Sequence, residues 1–112
     1  MNIQIYGMSK CFDTKKAERY FKERRIPFQR IDLAKFGLSP REFETVKKAV
    51  GLEAMINTKS KDYEASFIAH LAYEQDIIDK LFETPSLYAT PIVRNGKHVT
   101  VGYHPEIWKD WE

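Results

Sequence analysis

The stretch NIQIYGMSKCFDTKKAERYFKERRIPFQRI, residues 2–31, decides how this chain folds. Asn2–Tyr6 alternates polar and apolar, with Ile3 and Ile5 on one side, which predicts a short half-buried strand. Gly7 ends it, and Met8-Ser9-Lys10-Cys11-Phe12 reads as a loop. Asp13 or Thr14 is placed to cap a helix running from Thr14 to about Arg24. On that helix Ala17, Tyr20 and Phe21 share one face, while Lys15, Lys16, Glu18, Arg19, Lys22 and Glu23 occupy the rest, as an amphipathic surface helix requires. Ile26-Pro27 breaks the helix, and Pro27–Ile31 predicts a second strand. A strand, a crossover helix and a strand in this order make a βαβ unit with its two strands parallel.

Working outward, Gly37-Leu38-Ser39-Pro40-Arg41-Glu42 is a helix start: Ser39 caps, Pro40 suits the first helical position and Glu42 completes a capping box. Phe43, Val46, Lys47 and Val50 follow helical spacing until Gly51. From Glu53 to Glu83 the periodicity is helical, with one stripe of Phe67, Ile68, Leu71 and Ala72 and another of Ile77, Ile78, Leu81 and Phe82, closed by Pro85. Tyr20, Phe21, Phe67 and Phe82 are expected in the core. Asn95-Gly96 between two β-branched runs, within Pro91–Val101, predicts a tight hairpin with both turn residues at positive φ. A last helix from Pro105 to about Trp111 is expected to pack through Trp108 and Trp111. The order β-α-β, helical block, hairpin, helix predicts an α/β thioredoxin-like fold. Its sheet is four-stranded and mixed, in one domain over 1–112 with a helical insertion at about 39–84.

The 112 residues suit one core, and 43% apolar content with a net charge of +2 fits a globular domain. No apolar run is long enough to span a bilayer, and the opening MNIQIYGMSK lacks the pattern of a signal peptide. The near-cancelling charge gives no basis for direct nucleic-acid binding, and Arg24-Arg25 and Lys47-Lys48 read as ordinary helix-face charges. A single cysteine excludes an internal disulfide and points to a reducing cytoplasm. His70, His98 and His104 lack metal-ligand spacing, so no metal site is expected.

Cys11 is where chemistry is expected. It lies between the first strand and the first helix, where free N–H groups and the helix dipole favour an anion. Thiols so placed ionise below about 8.5 and become nucleophiles near neutral pH. Lys10, Lys15 and Lys16 add positive potential and Asp13 opposes it. The geometry suits thiol–disulfide exchange and equally attack on a bound oxyanion. The competing reading makes Cys11 a small apolar filler behind the helix.

IYGMSKCFDTKKAERYF at the start resembles the opening of the arsenate reductase-like family (ArsC, Spx and YffB). Asn57-Thr58-Lys59-Ser60-Lys61-Asp62-Tyr63, Thr90-Pro91-Ile92-Val93, the Asn-Gly-Lys hairpin and the Gly-Tyr that follows are similar to that family's later segments in the same order. The resemblance implies that Cys11 is the nucleophile and that a cis Thr90-Pro91 peptide faces it. Where arsenate reductases of the family place arginines, this chain has Asn57, Thr90 and His104. A bidentate, permanently charged group is thereby lost three times, so efficient arsenate reduction is not expected. Lys10, Lys59 and Arg94 are the cations left to take that role beside Lys15. The Cys-x-x-Cys pair of Spx-like relatives reads Cys11-Phe12-Asp13-Thr14, leaving Thr14 as a hydrogen-bond donor to the thiolate. The resemblance thus implies a glutaredoxin-like monothiol reductase, without a bound cofactor. It would act on a small thiol, disulfide or oxyanion, with glutathione or another thiol as reductant. The alternative is a Spx-like binding protein that docks on RNA polymerase without catalysis.

Overall fold

A computed structural model of the protein describes residues 1–111; Glu112, the last residue of the expected domain, lies outside them. Four strands, β1 (Ile3–Gly7), β2 (Phe28–Asp32), β3 (Ile92–Asn95) and β4 (His98–Val101), form one sheet in the order β2-β1-β3-β4. β1 and β2 are parallel, with Ile3 opposite Phe28, and the other two pairings are antiparallel. The helices are α1 (Phe12–Glu23), α2 (Leu33–Phe36), α3 (Pro40–Val50), α4 (Lys61–Ala65), α5 (Glu74–Glu83) and α6 (Pro105–Trp108). This is the expected thioredoxin-like arrangement, with the helical block inserted between β2 and β3.

Because β1 is central, both of its faces are covered. Ile3 and Ile5 point under α1 and α6 and pack with Ala17, Tyr20, Phe21, Val93 and Trp108. Tyr6 alternates to the other face, where Leu33, Phe43, Val46, Met55, Leu81, Leu87, Tyr88 and Ile92 surround it. Trp108 is fully buried, its Nε1 donating to Thr100 Oγ1 at 2.8 Å. Its ring meets those of Tyr20 and Tyr103 edge-on, so the last helix is held by packing.

Four local expectations need correction. α1 begins two residues early: Cys11 itself, with φ −89° and ψ 118°, occupies the N-cap position assigned to Asp13 or Thr14. The hairpin pairs Asn95 with His98, so its loop is Gly96-Lys97 and only Gly96 takes positive φ, at 63°. That is the pattern of a type II′ loop, in which the first loop residue alone needs glycine. α2 went unforeseen because four residues carry no periodicity. Asp32 caps it by accepting from Ala34 N–H, and Gly37 ends it.

The stretch from Glu53 to Glu83 is the largest departure, since it breaks into short pieces. Ser60 caps α4, and the Ser66 hydroxyl donates to the Tyr63 carbonyl while accepting from Ile68 N–H, which stops the helix. Phe67 follows in the left-handed region at φ 56°, leading into a 3₁₀ turn at Ile68–His70. Its ring, expected in the core, is 66% exposed, whereas Ile68 is buried. Phe82, also expected inside, is partly exposed and lies against Phe43 with centroids 5.0 Å apart.

Candidate active site at the mouth of the first helix

Gly7 brings the chain out of β1 into the loop that carries Cys11. A Cβ at Gly7 would come within 2.4 Å of Thr14 Cγ2, so glycine is what lets the first turn of α1 seat against the strand. Thr14 is buried there, its Oγ1 3.4 Å from the Met8 N–H that donates to it. Cys11 N–H donates back to the Met8 carbonyl at 3.0 Å, and the Cys11 carbonyl accepts from Lys15 N–H at 3.3 Å as the helix starts. These bonds fix the sulfur at the helix mouth, where it remains partly exposed.

At the same end of the sheet, on the strand neighbouring β1, Thr90-Pro91 enters β3 through a cis peptide, with Pro91 buried. The Thr90 carbonyl lies 3.6 Å from Cys11 Sγ, within reach of a thiol donor. Two influences act on the sulfur. Burial pushes the Cys11 thiol up, while the side chains of Thr14 and Thr90 and the N–H groups of Thr14 and Asp13 donate to the thiolate and pull it down. The carbonyl contact favours the protonated form, but the donors prevail and the thiol lies below its ordinary value. The Cys11 side chain makes no capping hydrogen bond, and the donors around it favour the thiolate.

The other anticipated residues divide by location. Lys10 and Lys15 flank the sulfur in the chain and are exposed, with Lys15 Nζ 5.8 Å from the Phe12 ring centroid. The Asn57 side chain is committed to its own turn, where Oδ1 accepts from Lys59 N–H at 3.1 Å. The Asn57 N–H is fixed to the Leu87 carbonyl at 2.8 Å, and Lys59 is exposed. His104 is tied to β4, its Nε2 2.8 Å from the Val101 carbonyl, and its Nδ1 lies 3.4 Å from Glu106.

Arg94 is engaged elsewhere. It sits opposite Gln4, two positions along the sheet from the Ile92–Tyr6 pair. Its Nη1 donates to the Tyr6 hydroxyl at 3.0 Å, and that hydroxyl donates to Glu42 Oε2 at 2.5 Å. Burial and then the Glu42 carboxylate push the Tyr6 phenol up to about 12. Burial would raise the Glu42 carboxyl, but Tyr6, Ser39 and Arg94 outweigh it and hold it below the usual range. Arg94 thus belongs to a polar network under α3. Glu42 serves that network and the capping box together, since its Oε1 accepts from Ser39 N–H at 2.9 Å.

Two contributors escaped the sequence reading. Arg30 donates through Nη1 to the carbonyls of Gly7 (3.3 Å) and Ile31 (2.6 Å), and its Nε lies 3.1 Å from Glu18 of α1. It therefore ties α1 to the end of β1 where the Cys11 loop departs; a pairing so distant in sequence leaves no local signal. Phe12, at 79% exposure, stands beside Cys11 on the outer side of α1, and its place on the polar side of the helical wheel was the available clue. A cavity of about 450 Å³ lies behind the loop, with Met8, Thr14, Lys15, Arg30 and Phe36 in its walls. Among the described residues no cluster of three or more His, Cys, Asp or Glu side chains could hold a metal, and no helix is long and apolar enough to cross a membrane.

Comparison with known proteins places this geometry. Over 109 residues, 95% of this chain and 80% of the relative, the sequence is 28% identical to the global transcriptional regulator Spx 2 of Oceanobacillus iheyensis. A putative ArsC family related protein from Bacteroides fragilis superposes with a TM-score of 0.87 at 20% identity, covering 100% of this chain and 98% of that one. An arsenate reductase from Vibrio cholerae does so with a TM-score of 0.85 at 22% identity, covering 98% and 97%. Those two structures establish the fold. The sequence profile of the ArsC family matches residues 6–111, a span that takes in the Cys11 loop, the Asn57 turn and the cis Thr90-Pro91 peptide, and the chain belongs to that family.

Proposed function

We propose that the protein is a monothiol oxidoreductase in which Cys11 exchanges disulfides with an external thiol. The observation that carries this reading is one partly exposed sulfur at the N-cap of α1, 3.6 Å from the carbonyl that precedes the cis Pro91, where nearby donors hold the thiol below its ordinary value. The Cys11 thiolate attacks the glutathione sulfur of a mixed disulfide, forming Cys11–S–S–glutathione and releasing the other partner as a thiolate that takes a proton from water. A second glutathione thiolate then attacks the glutathione sulfur on Cys11, releasing oxidised glutathione and restoring the Cys11 thiolate. Across the two steps, the mixed disulfide and one free glutathione thiol become the partner's thiol and oxidised glutathione, and no second protein cysteine is needed. Thr14 and Thr90 favour the ionised sulfur, and a reducing cytoplasm keeps it reduced.

Efficient arsenate reduction does not fit the site. Asn57 and His104, two of the three positions that would supply arginines, are bonded into their own turns, and Arg94 is held by Tyr6.

The deciding experiment is the pH dependence of Cys11 alkylation by iodoacetamide. A midpoint well below the ordinary thiol value of about 8.5, together with glutathione-dependent turnover that Cys11→Ser abolishes, supports the proposal. A midpoint at or above that value, or full turnover in Cys11→Ser, overturns it. The similarity to Spx regulators over nearly the whole chain favours one second reading, docking on RNA polymerase to regulate transcription. That reading predicts retention of polymerase from a host extract by wild type and Cys11→Ser alike.

A further inference from the structure

The outer side of α1 carries a charge pattern that exchange chemistry alone does not require. Residues 10–25 hold seven of the chain's eighteen Lys and Arg but only three of its sixteen Asp and Glu, so this segment is net +4 in a chain of +2. Helical geometry sorts these charges. Thr14, Ala17, Tyr20 and Phe21 are buried, and Phe12, Lys15, Arg19 and Lys22 fall in one exposed row on the opposite side. Two nearby carboxylates are already paired: Asp13 lies 3.9 Å from Lys16, and Glu18 turns to Arg30 at 3.1 Å. Among the described residues Lys15, Arg19 and Lys22 make no ion pair, and Glu23 is the one exposed carboxylate at their edge.

From Phe12 to Lys22 the row extends about 15 Å, at 1.5 Å per residue. That is too long for one small anion or for glutathione alone to cover. Its end nearest the sulfur is apolar, and the rest is cationic. We infer that this ridge docks an acidic polypeptide segment, with an apolar side chain on Phe12 and carboxylates on Lys15, Arg19 and Lys22, and so presents that partner's disulfide to Cys11. The inference rests on the exchange reading for its cysteine, but the docking itself does not. An acidic polypeptide fits better than a nucleic acid for two reasons. The exposed Phe12 at the sulfur end suits an apolar side chain beside the carboxylates, and a nucleic acid has no sulfur to offer.

The test uses two synthetic peptides of equal length, one rich in Glu and one rich in Lys, each with a single cysteine held as its glutathione mixed disulfide. Exchange with Cys11 is followed at low and high salt, and each rate is divided by the iodoacetamide rate of the same protein. The acidic peptide is expected to react about tenfold faster or more at low salt, within the range of electrostatic steering. The gap should close as salt shortens the screening length towards about 3 Å at 1 M. Arg19→Glu/Lys22→Glu should erase or invert the preference. Equal normalised rates, a preference that ignores salt, or one that survives the double variant would overturn the inference.

A second measurement separates it from the chemistry. Binding of the reduced acidic peptide to Cys11→Ser protein should be detectable and salt-sensitive. Its absence overturns docking even if Cys11 is reactive, and its presence with an unreactive Cys11 sustains docking while the exchange reading fails. Displacement of the peptide by a short single-stranded oligonucleotide at stoichiometric concentration would identify a nucleic-acid surface instead and overturn the inference.

Discussion

The two faces of the sheet are covered by different means. On one, the unbroken helix α1 and the buried Trp108 pack aromatic and aliphatic side chains onto Ile3, Ile5 and Val93. On the other, the cover is assembled from α2, α3, α5 and short turns, and Tyr6, Glu42 and Arg94 form a polar network beneath it. The continuous face is the one that places the Cys11 sulfur, because Cys11 is the N-cap of α1 and a shift of that helix changes its distance from Thr90. The pieced face is a cover whose segments end wherever a serine hydroxyl competes for the backbone, as Ser66 does. Placement of the sulfur therefore depends on the packing of α1 more than on the insertion.

Three substitutions bear on this contrast, in descending order of effect. Trp108→Ala removes the largest buried side chain of the continuous face and orphans the Thr100 hydroxyl. It should cost about 3–5 kcal/mol in denaturant unfolding, a large share of the ~5–15 kcal/mol that holds such a domain together. A loss under 1 kcal/mol would show that α6 does not anchor this face. Gly7→Ala drives a methyl group into Thr14 and should cost about 1–3 kcal/mol. It should also raise the midpoint of Cys11 alkylation, because the first turn of α1 must shift; an unchanged midpoint would detach the thiol from the seating of the helix. Phe67→Gly, in the pieced face, relieves a left-handed aromatic residue at the cost of added chain entropy. A small gain of up to about 1 kcal/mol is expected, with no change at Cys11. A marked loss would show that the exposed ring contributes packing after all.

How far the sequence could be read depended on whether the deciding interactions were local. The Ser39-Pro40-Glu42 start of α3 was legible because a capping box is complete within four positions, and it forms as read. The hairpin was legible too, but its turn residues were taken one position early because Asn-Gly is the commoner pair in such loops. Cysteine is not a usual cap, so the start of α1 was placed on its polar neighbours. Phe67 misled because helical spacing says nothing about a hydroxyl waiting one residue before it. At the site, the position of Cys11 followed from the order of elements. The cis Thr90-Pro91 peptide was expected only through family resemblance, and the clamp of Arg30 on the Gly7 carbonyl leaves no trace until the chain is folded.

The N-cap position of Cys11 ties the start of α1 to the state of its sulfur. A serine cap serves its helix permanently, whereas the Asp13 and Thr14 N–H groups at the head of α1 favour this sulfur as an anion. An adduct at Cys11 removes that charge from the helix start, and expelling the adduct restores it. In the proposed exchange, each discharge of Cys11 thus returns a favourable charge to the head of α1.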